Sequence, residues 1–303
     1  GAIATTGAKP VFVDIKDDLN IDDEKIEKKI TKKTKAILLV HVLGNSCNMD
    51  EIIRIKKKYN LILIEDTCES IGSKYRNKYL GTFGEFSTFS FYSSHQISSG
   101  EGGMICCKNN KDYNIIKSLR SHGWSRGTSF EKKIYIENKN LDKRFIFFNS
   151  GYNLRPTEVS AAIGHNQFKR LKKFIQIRSL NRNLIIKELL KSKLLQNKLS
   201  FYEATKNVTP SWFGLSIKIL IKGKSIKKKI IKKLEMNGVE TRPIISGNFA
   251  EQPSTKIYKL VKNQKFPNTD KVYKKSFFVG LPSKKINKNY LKKVVIAFEK
   301  SFR

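Results

Sequence analysis

The chain has 303 residues, and 39% of them are hydrophobic, which is enough for a substantial core and for two modest domains. Its 60 lysines and arginines exceed its 26 acids and give a formal net charge of +34, but they are spread along the chain and cluster in amphipathic helices. This distribution is more typical of solvated faces than of a nucleic-acid-binding surface. With no apolar run of membrane length and no signal peptide, the sequence predicts a soluble cytoplasmic protein that binds neither nucleic acid nor membranes.

The first half of the chain alternates between apolar strands and amphipathic helices. Residues 11–15, 36–42 and 61–64 are apolar runs typical of buried strands, and Asn48 is a helix N-cap before apolar residues at helical spacing. This alternation predicts a mostly parallel sheet with helical crossovers. Ligands of such sheets bind beyond the carboxyl ends of the strands, where His41 and Asp66 lie.

The second half of the chain changes character. Residues 121–150 have no clear period and are predicted to form a long functional loop, and a long helix begins at residues 156–158 and continues through Leu190. From about Ser200, short strands alternate with helices, as in a small α+β domain, and residues 263–270 give the clearest loop signal there. We therefore divide the chain into a large α/β domain, 1–175, and a small C-terminal domain, 176–303. The chain opens without a recognisable domain start, so we expect an N-terminal part of the large domain to be missing.

Residues 89–103 carry the strongest local signal for chemistry. An apolar strand passes through serines to His95 and then to a glycine-rich turn. His95 is either an acid/base group or a hydrogen-bonded loop histidine, and Asp66 is either a site carboxylate or a turn acid. Arg242 and Asn248 follow a strand and face either a phosphate or water. The cysteines, Cys47, Cys68, Cys106 and Cys107, lack a metal-ligand spacing, so we expect no metal site.

Several motifs, taken together and in this order, resemble the DegT/StrS-type sugar aminotransferases, a family of pyridoxal-phosphate (PLP) enzymes of fold type I. The motifs are 41–45 (HVLGN), 64–72 (IEDTCESIG), 81–84 (GTFG), 90–95 (SFYSSH), 100–103 (GEGG), 121–123 (SHG), 151–158 (GYNLRPTE) and 161–164 (AAIG). The resemblance covers essentially the whole chain. It implies a seven-stranded-type, mostly parallel sheet with helices on both faces, a smaller C-terminal α+β domain, and a homodimer with shared active sites.

One departure from the family pattern is informative. Family aminotransferases have a lysine where His95 stands, and an imidazole cannot form the imine that this lysine makes with the cofactor. The exchange resembles the 3-dehydratase branch of the family, as do residues 210–214 (PSWFG), 242–243 (RP), 247–249 (GNF) and 252–253 (QP). The branch closest in pattern acts on GDP-4-keto-6-deoxy-D-mannose. Because residues 121–150 lack cysteine, we expect the type that has no iron–sulfur cluster and is recharged by L-glutamate.

The resemblance implies a role for each matching residue. Asp66 would pair with the pyridine nitrogen of non-covalently bound PLP or pyridoxamine phosphate, Glu69 would lie near the ring hydroxyl, and Ser90 would donate to the phosphate. Asn153 would reach the phosphate in the partner subunit, and His95 would be the catalytic acid/base. His41, Arg242 and Asn248 are the substrate-contact candidates.

The sequence therefore predicts a nucleotide-sugar 3-dehydratase that acts on a GDP- or CDP-linked 4-keto-6-deoxyhexose, for surface polysaccharide such as lipopolysaccharide O-antigen. Two alternatives stay open. The chain is a C4 aminotransferase of the same substrate class, or it is a non-catalytic regulator on the same fold.

Overall fold

The protein is described by a computed structural model over residues 1–258 and 264–303. The strands are β1 (Ala36–Val40), β2 (Ile62–Asp66), β3 (Lys74–Tyr75), β4 (Lys78–Tyr79), β5 (Phe86–Ser90), β6 (Gly103–Cys107), β7 (Leu199–Phe201), β8 (Val208–Thr209), β9 (Gly214–Ile219), β10 (Thr241–Arg242) and β11 (Ser276–Gly280). The helices are α1 (Ala2–Thr5), α2 (Asp23–Ile26), α3 (Met49–Lys58), α4 (Asn110–Leu119), α5 (Glu131–Glu137), α6 (Glu158–Lys191), α7 (Ile226–Met236), α8 (Ser254–Ile257), α9 (Pro267–Lys275) and α10 (Lys288–Phe302).

The sheet of the first half has the order β1-β2-β5-β6. The strands β1, β2 and β5 are parallel, and β6 runs antiparallel to β5. In this register Asp66 lies beside Val40 on one side and Thr88 on the other, so the carboxyl ends of the three parallel strands meet at one edge. Helix α3 packs Met49, Ile52 and Ile55 against the sheet. The predicted parallel sheet with helical crossovers is confirmed, and the described residues contribute four strands to it.

The second half of the chain forms an antiparallel sheet with the order β10-β11-β9-β7. The helices α7, α10 and the last turns of α6 cover it around a core that includes Leu215, Phe277 and Phe298. Helix α6 is continuous over 34 residues, and the Thr157 side chain caps its first turn by accepting a hydrogen bond from the Ser160 N–H. It therefore runs through residue 175, where we placed the division between domains, and that division stays a prediction.

Three local predictions differ from the structure. Residues 11–15 do not form a strand and make only an isolated bridge, between Ile15 and Ile21, because an apolar run this short is not specific for a strand. The loop expected at 121–150 contains α5. The loop signal at 263–270 is overridden by α9, which starts at Pro267, a favoured first residue of helices; Asn263 itself lies outside the described residues. Within the described ranges, no helix is both long and apolar enough to cross a membrane.

A buried carboxylate, Glu65, joins the strands to the loops around their carboxyl ends. Its side chain is fully buried, and it accepts three backbone N–H groups, from Gly81 (2.8 Å), Phe83 (2.7 Å) and Gly84 (2.6 Å). His41 Nδ1 accepts a hydrogen bond from the Cys47 N–H at 3.2 Å, so the proton of a neutral ring is on Nε2, which donates to Glu65 at 3.2 Å. Burial alone raises the pKa of Glu65, but the bonds from His41 and the glycines outweigh it and lower the pKa.

We expect Glu65→Ala to lower the free energy of unfolding by about 3–5 kcal/mol, because it leaves a buried histidine and three buried N–H groups without their acceptor. Urea denaturation of the purified protein measures this loss. Glu24→Ala is the matched control, since the Glu24 side chain is 81% exposed, and it should change the stability by no more than about 0.5 kcal/mol. Equal losses in the two variants would contradict a central role for the Glu65 network.

Candidate active site

Asp66 and His95 lie together at the carboxyl edge of the parallel sheet. Asp66 is the last residue of β2, and its Oδ1 accepts a hydrogen bond from the Cys68 N–H at 3.0 Å, which fixes the carboxylate in the turn that follows the strand. His95 lies in the turn after β5. Two aromatic rings contact the imidazole edge-on, that of Phe213 at 5.3 Å between centroids and that of Tyr92 at 5.9 Å. The structure thus joins the two residues whose sequence motifs gave the strongest functional signal.

The imidazole of His95 is half-buried, and its Nδ1 is shielded from solvent without a hydrogen-bond partner among the described residues. Burial lowers the pKa of His95 below its ordinary value of 6.5, and the positive charge of Arg178 acts in the same direction. The backbone of Ser90 and the carboxylate of Asp66 oppose this shift but do not reverse it. His95 is therefore neutral at pH 7 and can accept a proton from a bound molecule.

Glu69 occupies the turn below His95 and has an unusual acidity. Its Oε2 accepts a hydrogen bond from the Leu43 N–H at 2.8 Å. Burial, together with the nearby charge of Asp66, raises the pKa of Glu69 to about 7 although the Leu43 N–H acts in the opposite direction. Near neutral pH a large fraction of the carboxyl groups is protonated. A protonated carboxyl can donate a hydrogen bond as well as accept one.

The other two predicted cofactor residues lie in different surroundings. Ser90 ends β5 beside His95, and its Oγ accepts a hydrogen bond from the Tyr92 N–H at 3.2 Å. Asn153 is exposed, pairs with Ser121 in an isolated bridge, and has no recorded contact with Asp66, Ser90 or His95 within the described chain. The structure therefore assembles Asp66, Glu69, Ser90 and His95 at one place. The role of Asn153 in a partner subunit stays a prediction.

The three substrate-contact candidates are not part of this cluster. His41 is fully buried and uses both ring nitrogens within the protein, so the expectation that it contacts substrate is corrected: its imidazole turns inward to Glu65. Arg242 is exposed on β10 and pairs with Glu240 at 2.7 Å. The Asn248 amide donates to Asp270 at 2.8 Å, and its oxygen accepts from the Ala250 N–H at 3.1 Å. Contacts of Arg242 and Asn248 with substrate stay predictions.

Sequence reasoning missed other polar groups around His95. The Gln96 amide donates to the backbone oxygens of Glu69 and, at 3.2 Å, of Ser211, while its own oxygen has no partner within the described residues. The Ser211 hydroxyl is likewise buried and unpaired. Buried polar groups are normally satisfied, so unpaired ones clustered beside His95 fit a polar ligand. Arg178 also belongs here, and its position on the apolar face of α6 was the signal that could have identified it.

Known proteins are similar in sequence to most of this chain. Residues 1–299 match the DegT/DnrJ/EryC1/StrS aminotransferase family. The chain is 36% identical over 278 residues to GDP-4-keto-6-deoxy-D-mannose 3-dehydratase of Escherichia coli O55:H7, covering 90% of this chain and 70% of that protein. It is 34% identical over 310 residues to the lipopolysaccharide biosynthesis protein RfbH of Salmonella typhimurium, covering 98% and 69%. It is also 33% identical over 246 residues to GDP-perosamine synthase of E. coli O157:H7, covering 80% and 61%.

Solved structures show the same fold. The E. coli GDP-4-keto-6-deoxy-D-mannose-3-dehydratase with bound hydrated PLP superposes with a TM-score of 0.85 at 35% identity, over 97% of this chain and 75% of that one. A GDP-4-keto-6-deoxymannose-3-dehydratase with a trapped PLP-glutamate geminal diamine superposes with a TM-score of 0.84 at 32% identity, over 99% and 76%. The expected fold, that of the type I PLP-dependent transferases, is confirmed. Within that class the chain belongs to the DegT/DnrJ/EryC1/StrS aminotransferase family.

Because the pKa of Glu69 is raised, we expect the free energy of unfolding of the ligand-free protein to fall as the pH rises. Because the pKa rises from an ordinary 4.5 to about 7, folding favours the protonated form, and this stabilisation is lost as the pH rises through that window. Glu69→Gln keeps an acceptor for the Leu43 N–H and cannot ionise. We expect melting temperatures of variant and wild type to agree near pH 4.5 and the variant to be the more stable at pH 8, measured by calorimetry. A constant difference across this range would refute the raised pKa.

Proposed function

We propose that this protein is a PLP-dependent nucleotide-sugar 3-dehydratase. It would remove the C3 hydroxyl of a GDP-linked 4-keto-6-deoxyhexose to give a 4-keto-3,6-dideoxy sugar. The observation that supports this most is His95, a half-buried neutral imidazole beside Asp66 at the position where family aminotransferases have a lysine. The names of the E. coli and Salmonella relatives agree with this activity and with a place in lipopolysaccharide O-antigen synthesis. A CDP-linked 4-keto-6-deoxyhexose is the alternative substrate.

The side chains at the sheet edge fit PLP or its amine form, pyridoxamine phosphate. The Asp66 carboxylate suits a protonated pyridine nitrogen, the Glu69 carboxyl suits the ring hydroxyl, and the Ser90 hydroxyl suits a phosphate. The Nδ1 of His95 and the hydroxyl of Ser211 are buried without a hydrogen-bond partner among the described residues, which supports a polar ligand beside them. The bound cofactor supplies an electron sink for carbanion chemistry. It would be held without a covalent bond, since an imidazole makes no imine.

His95 would move the protons of the elimination. In its neutral form it can accept a proton at the unpaired Nδ1, because that nitrogen makes no bond to the protein. The resulting imidazolium can give this proton to the departing C3 oxygen, which leaves as water. Asp66 stabilises the imidazolium, and Arg178 opposes it, so the charge does not persist. L-Glutamate would restore the amine form of the cofactor, in keeping with the related dehydratase that holds PLP and glutamate.

The alternative is a C4 aminotransferase, favoured by the similarity to GDP-perosamine synthase. The two activities differ in what stands at position 95. A lysine amine forms an imine and directs amino transfer, whereas an imidazole can only exchange protons. A regulator without activity is the third possibility, and the assembled Asp66, Glu69, Ser90 and His95 cluster argues against it.

Incubation with GDP-4-keto-6-deoxy-D-mannose, PLP and L-glutamate should give the 3-deoxy product, identified by mass spectrometry and NMR. His95→Asn should lower the rate by at least about a hundredfold, the ordinary contribution of an acid/base group, and His95→Lys should lose 3-deoxy product as well. Gln196→Lys, which places a lysine at an exposed position after the end of α6, should keep wild-type activity. A C4-amino sugar with its C3 hydroxyl intact would show that the wild type is an aminotransferase.

A homodimer with shared active sites is part of the proposal. The first turns of α6 expose Val159 (70%) and Ile163 (46%), and the preceding segment exposes Tyr152 (63%) and Leu154 (66%). Apolar patches of this kind mark protein–protein contacts. Because Asn153 lies in the same exposed stretch, a contact there would carry it toward the site of the other subunit.

Val159→Asp should therefore shift the protein from dimer to monomer in light scattering after size exclusion, because it places a charge in an apolar contact. Met236→Asp is the matched control, since Met236 is 77% exposed on the small domain and should leave the mass unchanged. A wild-type protein that elutes as a monomer at every concentration would overturn this assignment.

A further inference from the structure

One face of α6 runs along the candidate active site. Gly164 faces Ser99, since a Cβ added at Gly164 would lie 3.4 Å from the Ser99 Cβ. Farther along, Leu171 packs with Ile97, and Ile175 packs over Gly72, where an added Cβ would meet its side chain at 2.5 Å. These helix positions are seven and four residues apart, about two turns and one turn, so they share one face. This face of α6 therefore packs against residues 97 and 99, which directly follow His95 and Gln96 in the sequence.

Arg178 and Arg182 continue the same face. The Arg182 guanidinium lies over the Trp212 ring, 4.2 Å from its centroid, and donates a hydrogen bond to the Tyr202 carbonyl at 2.6 Å. Trp212 is followed directly by Phe213, whose ring contacts His95. Arg178 lies one turn before Arg182 and one turn after Ile175, and it is close enough to His95 for its positive charge to lower the pKa of the imidazole.

The two arginines differ in how their charge is satisfied, because Arg182 has the Glu203 carboxylate 3.6 Å away, although its Nε has no partner among the described residues. The Arg178 residue is only 9% exposed, and its Nε and Nη1 are shielded from solvent with no acceptor among the described residues. Two further polar atoms, the Gln96 side-chain oxygen and the Ser211 hydroxyl, are buried without a partner among the described residues. The two residues are neighbours, because the Gln96 amide donates a hydrogen bond to the Ser211 carbonyl. A buried guanidinium without an anion is costly, and natural proteins retain such a charge where a ligand supplies the partner. The described residues therefore provide no oxyanion for Arg178, and a ligand could supply one.

We propose that Arg178 binds a carboxylate of the amino-acid donor that recharges the site. This inference rests on the proposed function, in which an amino acid enters the same pocket as the sugar. The planar fork of a guanidinium matches a carboxylate through two parallel hydrogen bonds. An amino acid carries its α-carboxylate one carbon from the amino group, so a donor whose nitrogen reaches the His95 pocket brings its carboxylate close by.

Phosphate is the competing oxyanion, and the arrangement of the site disfavours it. The cofactor phosphate is already assigned to Ser90 at the end of β5. The diphosphate of a nucleotide sugar lies beyond the hexose ring from C3 and C4, and it therefore lies farther from His95 than the carboxylate of a donor does. A buried side chain that contacts the His95 pocket suits the small, planar anion.

The test uses glutarate, which has the chain length of glutamate but no amino group and so cannot react with the cofactor. Binding to the PLP-loaded protein is followed by fluorescence of Trp212 in a Trp124→Phe background, because Trp212 lies directly under Arg182 beside the pocket. We expect the glutarate Kd to rise about tenfold to a hundredfold in Arg178→Met, the usual effect of losing a charged hydrogen-bond partner. Arg178→Lys, which keeps the charge without the fork, should raise it less. The GDP Kd should stay unchanged in both variants.

Melting temperatures separate a binding role from a structural one. Without ligand, Arg178→Met should melt at or above the wild-type temperature, since it removes a buried unpaired charge, and glutarate should no longer stabilise it. Arg170→Lys, at an exposed position of the same helix, is the control and should behave as wild type in every assay. Unchanged glutarate affinity in Arg178→Met and Arg178→Lys would overturn the proposal. So would a loss of GDP or inorganic phosphate affinity in place of glutarate affinity, or an Arg178→Met variant that no longer folds while Arg178→Lys binds glutarate normally.

The outcome is independent of the reaction at the sugar. If wild type forms 3-deoxy product and Arg178 variants bind glutarate normally, only the role of Arg178 fails. If glutarate binding depends on Arg178 and the sugar product keeps its C3 hydroxyl, only the proposed dehydration fails.

Discussion

The arrangement of the candidate site depends on one buried carboxylate, Glu65. A charge inside a protein is tolerated only when donors surround it, and Glu65 has four: the His41 ring and three N–H groups of the loop at 81–84. These bonds tie the end of β1, the end of β2 and the following loop into one unit. Asp66 is the next residue along the strand, so its carboxylate points away from Glu65 at a fixed edge of the sheet. Alternate strand residues face opposite sides of a sheet, so Glu65 bonds the loop inside the protein while Asp66 faces the candidate site.

Around that fixed edge, burial determines the chemistry of each side chain. It makes His95 less basic than a free imidazole and Glu69 less acidic than a free carboxyl, so near neutral pH a large fraction of each is uncharged. An imidazole that burial makes less basic and a carboxyl that burial makes less acidic are suited to exchanging protons near neutral pH, and the Arg178 guanidinium beside them is suited to an anion. The family resemblance names the cofactor that such a pocket serves, while the pKa shifts explain how this chain's own groups could act on it.

Much of this organisation could be predicted from the sequence, where local pattern and three-dimensional position agree. Residues 61–64 are apolar and end in acids, so β2 and the placement of Asp66 followed from the pattern alone. His41 failed the same reasoning, because a pattern locates a strand end but not the direction in which its side chain turns. Arg178 was missed because its meaning comes from what surrounds it: charged residues are common on helices, and only packing shows that this one is buried without a partner. The division at 175 falls within α6, which continues through it, so the pattern of elements alone does not locate a boundary there.

The continuity of α6 also has a mechanical consequence. At 1.5 Å per residue, its 34 residues form a rod about 50 Å long. One end carries the exposed Val159, the middle packs beside residues 97–99, and the far end lies in the core of the antiparallel sheet through Ile185 and Leu189. Because the helix is continuous, it joins the exposed turns near Val159 to this core as one rigid element. A displacement at one end of such a rod is transmitted to its other end, some tens of ångströms away.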